Sequence, residues 1–275
     1  MEREKHMKKH ISMLLVILML VSLCASAFAE EIVFTPDIVM DRLKDGDDLA
    51  QTAEEQAVNG AYRLAEMLGT AAAARATEED CEYINSCLAQ LFDDDAMTLG
   101  NQQKLALGTM QVFNLLETIA EQEDPDIKYQ SNRDSLRDYF NEGDDEAGIA
   151  KQQTVNALYS AANMAALIME EIRPTQEMVA TIQAELEAFS HDNDVCEDVD
   201  DQIVNGAYWL QRMLTGMVTL ISPNDDYTAA AMELSNENTQ NANSQPDLER
   251  ELVVWLYSCV QMSDLFAQEL LSEVQ

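Results

Sequence analysis

Carboxylates are the groups in this sequence best placed to do chemistry. Asp45, Asp47 and Asp48 surround Gly46, and Glu142, Asp144 and Asp145 surround Gly143 in the same order. Asp192 and Asp194, with Glu197 and Asp198 close behind, form a third cluster. Ca²⁺ takes about six to eight oxygen ligands, so these clusters are candidate Ca²⁺ sites, and Ca²⁺ is the one cofactor the sequence suggests. The spacing is not that of an EF-hand, which needs Asp-x-Asp-x-Asp-Gly followed by a distant Glu. Acidic residues just ahead of a helix also cap its free N–H groups and favour the positive end of its dipole. That plainer role competes with metal binding at every cluster.

Other reactive chemistry is thinly represented. His191 is the only histidine after residue 10, which argues against a histidine-based triad or a histidine-rich metal site. There is no glycine-rich phosphate loop. A pair of carboxylates can hydrolyse glycosides, and helical hairpins of this length build toroidal glycosidases, so a helical hydrolase is the alternative reading. Sugar sites favour aromatic platforms, and Trp209 and Trp255 are the only tryptophans.

The elements that would position these groups are repeated. Val58-Asn59-Gly60-Ala61-Tyr62 recurs letter for letter as Val204-Asn205-Gly206-Ala207-Tyr208. Val155-Asn156-Ala157-Leu158-Tyr159 and Val253-Val254-Trp255-Leu256-Tyr257 are fainter copies, and Tyr159, Tyr208 and Tyr257 are spaced by 49 residues. Pro125, Pro174 and Pro223 keep the same 49-residue spacing. Pro36 opens the series, and Thr77 with Asp80 makes a capping-box start for another copy. These marks predict an all-α protein of about ten helices in five helix-turn-helix repeats of about 49 residues, as an α-solenoid or a closed helical array. Each unit reads as a shorter helix, an acidic turn and a longer helix. The long helices are predicted over 49–74, 101–122, 147–172, from Cys196 onward to about 220, and 246–271. The shorter ones are predicted to end at Lys44, Phe92, Phe140, Phe189 and Leu234. The Asn/Ser/Gln-rich run from Ser235 to Gln245 is predicted to be a mobile loop.

A glycine in a helix interior costs about 1 kcal/mol relative to alanine and is tolerated where helices approach closely. Gly60 and Gly206 therefore predict helix crossings, and Gly108 a similar contact displaced by one position. Gln56, Gln103, Gln153 and Gln202, with Glu251 in the last copy, share one place in the long helices. Asn59, Asn156 and Asn205 either fix register between neighbouring copies or line a polar binding face together with Trp209 and Trp255. The final helix is apolar nearly all round from Leu252 to Val260, which suggests a homo-oligomer contact.

The chain begins with a basic stretch, an apolar run from Ile11 to Leu23 and the small-x-small triplet Ala27-Phe28-Ala29. This predicts a signal peptide over 1–29 and a single all-α domain over 30–275, secreted or held in the cell envelope. An uncleaved anchor is the competing reading of the same segment. The formal charge is −35, and −37 without the first 29 residues, which carry four basic and two acidic side chains. Such a charge disfavours nucleic acid and anionic membrane and favours a basic or cationic protein partner. Cys81, Cys87, Cys196 and Cys259 remain in the mature chain. Cys81 and Cys87 are too far apart along one helix to bond each other, and Cys196 with Cys259 is the most plausible bridge if the thiols are not simply free. The sequence thus points to an exported acidic helical repeat protein acting as a protein-binding or scaffold module.

Overall fold

The computed structural model describes residues 35–123, 129–172, 176–221 and 225–274. The described residues are helices joined by short turns, with no strand among them. The helices are α1 (Pro36–Leu49), α2 (Ala53–Ala73), α3 (Glu78–Gln90), the five-residue α4 (Asp94–Thr98), α5 (Asn101–Glu123), α6 (Gln130–Glu146), α7 (Ala150–Ile172), α8 (Gln176–Asp194), α9 (Val199–Ile221), α10 (Asp225–Ala242) and α11 (Leu248–Val274). The segment 1–29, Pro125, Pro174 and Pro223 lie outside the described residues.

Local signals start these helices where they start. Thr52 Oγ1 accepts from Glu55 N at 3.2 Å and opens α2. Thr77 and Asp80 form the reciprocal capping box of α3. Asp198 Oδ1 accepts from the backbone N–H of Asp200 at 2.8 Å and of Asp201 at 3.1 Å at the head of α9. Asp247 Oδ1 accepts from Arg250 N at 3.0 Å at the head of α11. Each satisfies an N–H that the first turn leaves without an intrahelical partner.

The long helices α2, α5, α7, α9 and α11 form an inner layer whose contact order closes on itself. α2 packs on α5, α5 on α7, α7 on α9, α9 on α11, and α11 back on α2. Apart from the short α4, the remaining helices lie outside, each in the groove between two inner ones: α3 on α2 and α5, α6 on α5 and α7, α8 on α7 and α9, α10 on α9 and α11, and α1 on α11 and α2. A closed array, not an open solenoid, is therefore the arrangement of these helices.

Three glycines show how the inner helices meet. A Cβ on Gly206 would stand 3.0 Å from Leu158 Cβ and 3.2 Å from the Tyr159 ring. A Cβ on Gly108 would meet Ala61 Cβ and the Tyr62 ring at 3.0 Å, and one on Gly60 would meet Leu256 Cβ and the Tyr257 ring at 3.0 Å. The same position of one helix thus sits on the same two positions of the helix before it, so the inner helices run parallel. The Gly60 contact joins the first inner helix to the last. The large fully buried side chains Leu64, Met67, Phe113, Leu158, Ile168 and Phe266 fill the layers behind these crossings.

The structure corrects several local expectations. Gly108 occupies the place of Gly60, so Gln103 aligns with Glu55, Gln152 and Asp201 and not with Gln56. All four act alike: Gln103 Oε1 accepts from Gly100 N, Glu55 Oε2 from Gln51 N, Gln152 Oε1 from Gly148 N and Asp201 Oδ2 from Glu197 N. The Asp45–Asp48 and Glu142–Asp145 segments are not turns; α1 and α6 continue through them to Leu49 and Glu146. Asp192 and Asp194 close α8. These residues therefore sit at helix C-terminal ends, not at N-caps. The run from Ser235 to Ala242 belongs to α10, where Asn238 Nδ2 donates to Ser258 Oγ at 3.0 Å and Gln261 Oε1 at 2.9 Å. A polar stripe on α11 gives those amides partners, and helix replaces loop. Cys81, Cys87, Cys196 and Cys259 are free thiols, so the Cys196–Cys259 bridge does not form.

The apolar circumference of α11 is covered inside the chain by α2, α9, α10 and α1. Trp255 is buried, with its ring 4.9 Å from that of Tyr208. Closure of the ring accounts for that composition without a second subunit.

Candidate functional site

The parallel inner helices bring their N-termini to one end of the ring. There they enclose a cavity of about 640 Å³. Its rim carries Glu54, Gln102, Lys151, Asp200 and Glu249, one residue from the first turn of each inner helix. One turn deeper, Ala57, Leu105, Thr154, Ile203 and Leu252 make its floor. These two sets are equivalent positions once α5 is aligned on Gly108. The floor is apolar apart from Thr154, whose hydroxyl donates to Ala150 O at 3.1 Å. Lys151 Nζ pairs with Asp200 at 2.6 Å across the boundary of α7 and α9. Asp247 joins the rim beside Glu249. A smaller polar depression next to it is lined by Gln51, Thr52, Gln56, Asp247 and Arg250 among others.

Opposing electrostatic terms act at this mouth. Glu54, Asp200, Asp247 and Glu249 set four carboxylates against the one ammonium of Lys151. Each helix N-terminus adds roughly half a positive charge, about +2.5 for the five, which falls off within the first turn. The centre of the cavity is thus close to balanced, while its surroundings are strongly acidic. Asp45, Asp48, Asp94, Asp194, Glu197 and Asp198 all lie in the chain just ahead of an inner helix.

The residues singled out from the sequence have other places. Asn59 Nδ2 donates to Leu43 O at 2.9 Å and to Tyr257 Oη at 3.3 Å, and Tyr257 Oη donates to Asp47 Oδ1 at 3.0 Å. Gln56 Nε2 also donates to Asp47 Oδ1, at 2.6 Å. The same network recurs around Asn205, whose amide donates to Tyr159 Oη at 3.2 Å while Tyr159 Oη donates to Asn193 Oδ1. Asn156 Nδ2 donates to Phe140 O at 2.8 Å. Gly46 and Gly143 leave room for these amides: a Cβ would stand 2.2 Å from Asn59 Oδ1 or 2.3 Å from Asn156 Oδ1. Asn59 and Asn156 thus tie outer helix to inner helix, and Asn59 and Asn205 reach the tyrosine of the preceding inner helix. Burial raises the phenols of Tyr159 and Tyr257 to about 12, against the hydrogen bonds from Asn205 and Asn59.

Trp209 is buried against Phe189, with ring centroids 5.5 Å apart, and its Nε1–H donates to Asp192 Oδ2 at 3.2 Å. Trp255 Nε1–H donates to Glu251 Oε1 at 3.3 Å. Neither tryptophan and none of the three asparagines lines the mouth. Of the Ca²⁺ candidates, Asp47 and Asp192 spend carboxylate oxygens on these helix-to-helix bonds, while Asp45, Asp48, Glu142 and Asp194 are exposed and Asp144 is half-buried. The side chain of Asp145 is outside the described residues. Among the described residues, no three His, Cys, Asp or Glu side chains gather closely enough to hold a metal ion.

A second charged cluster lies away from the mouth. The fully buried carboxylate of Glu66 pairs with Arg42 of α1 and Arg63 of α2, each at 2.6 Å, and both guanidiniums stand over the Phe92 ring. Burial pushes Glu66 up and the two guanidiniums pull it down. This cluster fastens an outer helix to the ring.

Sequence reading missed the rim because Glu54, Gln102, Lys151, Asp200 and Glu249 share a position and no chemistry. The available signal was the Gly108 register, which aligns them. Comparison with protein-family models, with curated proteins and with solved structures finds no match for the chain.

Proposed function

We propose that this is an exported, acidic binding module that receives a basic protein or peptide at the mouth of its helical ring. The observation that carries the reading is the cavity where the first turns of α2, α5, α7, α9 and α11 converge, with carboxylates outnumbering cations on its rim. A net charge of −35, or −37 once residues 1–29 are removed, supports long-range attraction of a cationic partner and repulsion of phosphate backbones. The basic and apolar N-terminal segment supports export, with residues 1–29 removed. Titration calorimetry with pentalysine tests the reading. Binding should weaken steeply with salt and be lost in the triple variant Glu54→Gln/Asp200→Asn/Glu249→Gln. Binding that survives the triple variant places the partner elsewhere.

A helical hydrolase is the second reading, favoured by Glu54, Asp200 and Glu249 sharing one cavity. Release of reducing sugar from an oligosaccharide, abolished by Glu54→Gln, would favour it over a binding module.

A further inference from the structure

The mouth carries a feature that charge alone does not explain. Several of the most exposed large apolar side chains among the described residues lie in the chain just ahead of the inner helices that build it. Leu49 is 80% exposed, Met97 and Val195 are each 65% exposed, and Ile149 is 55% exposed. Each lies within four residues of the start of an inner helix, at the end of the ring where the cavity opens. Leu248, at 38% exposure, begins α11 and lines the cavity itself. Side chains of this kind, at the same end as an apolar-floored opening, mark a surface that buries apolar groups of another molecule.

We infer that the ligand is a basic amphipathic peptide segment, whose large apolar side chain enters the cavity while flanking lysines or arginines meet the acidic surround. The inference rests on the proposed binding role of the mouth and adds the chemistry of the anchor. Three observations converge on it. The floor of Ala57, Leu105, Ile203 and Leu252 offers a bound group no charged partner. The helix N-termini offset much of the rim charge at the centre, so a cation gains least there and an apolar group loses least. The carboxylates that the dipoles do not offset, Asp45, Asp48, Asp94, Asp194, Glu197 and Asp198, lie in the chain ahead of α2, α5 and α9, close to Leu49, Met97 and Val195. Charge complementarity therefore selects a peptide with cations beside the anchor over a neutral apolar molecule. A cavity of about 640 Å³ has the size of an ordinary ligand pocket and admits one aromatic or branched side chain with neighbouring backbone.

The test is titration calorimetry of the chain lacking residues 1–29 with two peptides, pentalysine and Lys-Lys-Phe-Lys-Lys. Burial of the phenylalanine ring should tighten binding roughly ten- to hundredfold over pentalysine. Leu105→Trp fills the floor, and Gln102→Trp, at an exposed rim position, reaches over the opening without disturbing the core. Either should bring the ratio of the two affinities close to one. Equal affinity of the wild-type chain for both peptides overturns the anchor and leaves the acidic mouth as a binding site. A preference for phenylalanine that both variants retain also overturns it, because the ring then binds elsewhere. Failure of both peptides to bind overturns the anchor and the binding reading together. Capture of neutral phosphatidylcholine vesicles in place of either peptide makes these exposed apolar side chains a membrane contact and overturns the peptide assignment.

Discussion

Replacing Gly60 with leucine asks whether the ring is closed. In the structure a Cβ at this position would lie 3.0 Å from Leu256 Cβ and 3.0 and 3.1 Å from two carbons of the Tyr257 ring. Ordinary contact begins near 3.4 Å, so even alanine needs a few tenths of an ångström, and Leu256 Cβ moves only if its helix moves. Leucine adds three further carbons to the same space. Overpacking of this kind costs typically about 1–3 kcal/mol, sometimes more. Against it stands a helix-propensity gain of about 0.8 kcal/mol on replacing glycine. The net expectation is a loss of up to about 2 kcal/mol, or a fall in Tm of up to roughly 8 °C for a domain of this size. If α2 did not meet α11, position 60 would be free on that side. The propensity term would then act alone, and Tm would rise by roughly 2–3 °C. Gly206→Leu is the control, because it crowds Leu158 and Tyr159 on the sequence-adjacent inner helix and should destabilise whether or not the ring closes. Thermal unfolding followed by circular dichroism separates the cases by sign. A Gly60→Leu variant more stable than wild type, beside a destabilised Gly206→Leu, would refute closure.

Other perturbations read single features of the same account. Gly46→Ala should destabilise the wild type by about 1 kcal/mol, because its Cβ displaces the Asn59 amide from Leu43 O, yet stabilise an Asn59→Ala background through helix propensity; a double-mutant cycle with no coupling contradicts the packing. Burial raises the carboxyls of Asp264, Glu121 and Glu170, with Asp37 adding to Asp264 and Glu117 to Glu121. A raised folded-state pKa means the folded protein binds protons more readily than the unfolded chain, so stability should rise as pH falls from 7.5 toward the ordinary carboxylate range. A Tm that drops steadily over pH 7.5 to 5.5 contradicts this. In the native protein maleimide should label Cys81 quickly and spare Cys259, which is fully buried with its thiol pushed up by burial, and reducing agent should leave Tm unchanged.

The helices and their crossings are written in the sequence because packing constrains them locally. Val-Asn-Gly-Ala-Tyr recurs because glycine must admit the neighbouring inner helix and asparagine must hold that helix's tyrosine. The acidic segments misled for a physical reason. Gly46 and Gly143, beside aspartates, have the composition of a turn, yet each glycine serves an asparagine from the adjoining helix and the outer helix continues. Ser235 to Ala242 has the composition of a loop, and only the polar stripe of Ser258 and Gln261 on α11 shows why it is a helix. The mouth was hidden for the opposite reason. Its rim residues are chemically unlike one another, and its existence depends on closure through α2 and α11, residues nearly two hundred positions apart.

Hydrogen–deuterium exchange with and without Lys-Lys-Phe-Lys-Lys tests the mouth as the binding surface most directly. The account predicts slowed exchange in the first turns of α2, α5, α7, α9 and α11 together, around Ala57, Leu105, Thr154, Ile203 and Leu252, with the C-terminal halves of the same helices unchanged. Slowed exchange confined to one or two of these helices, or to the outer faces of α6, α8 and α10, would contradict it.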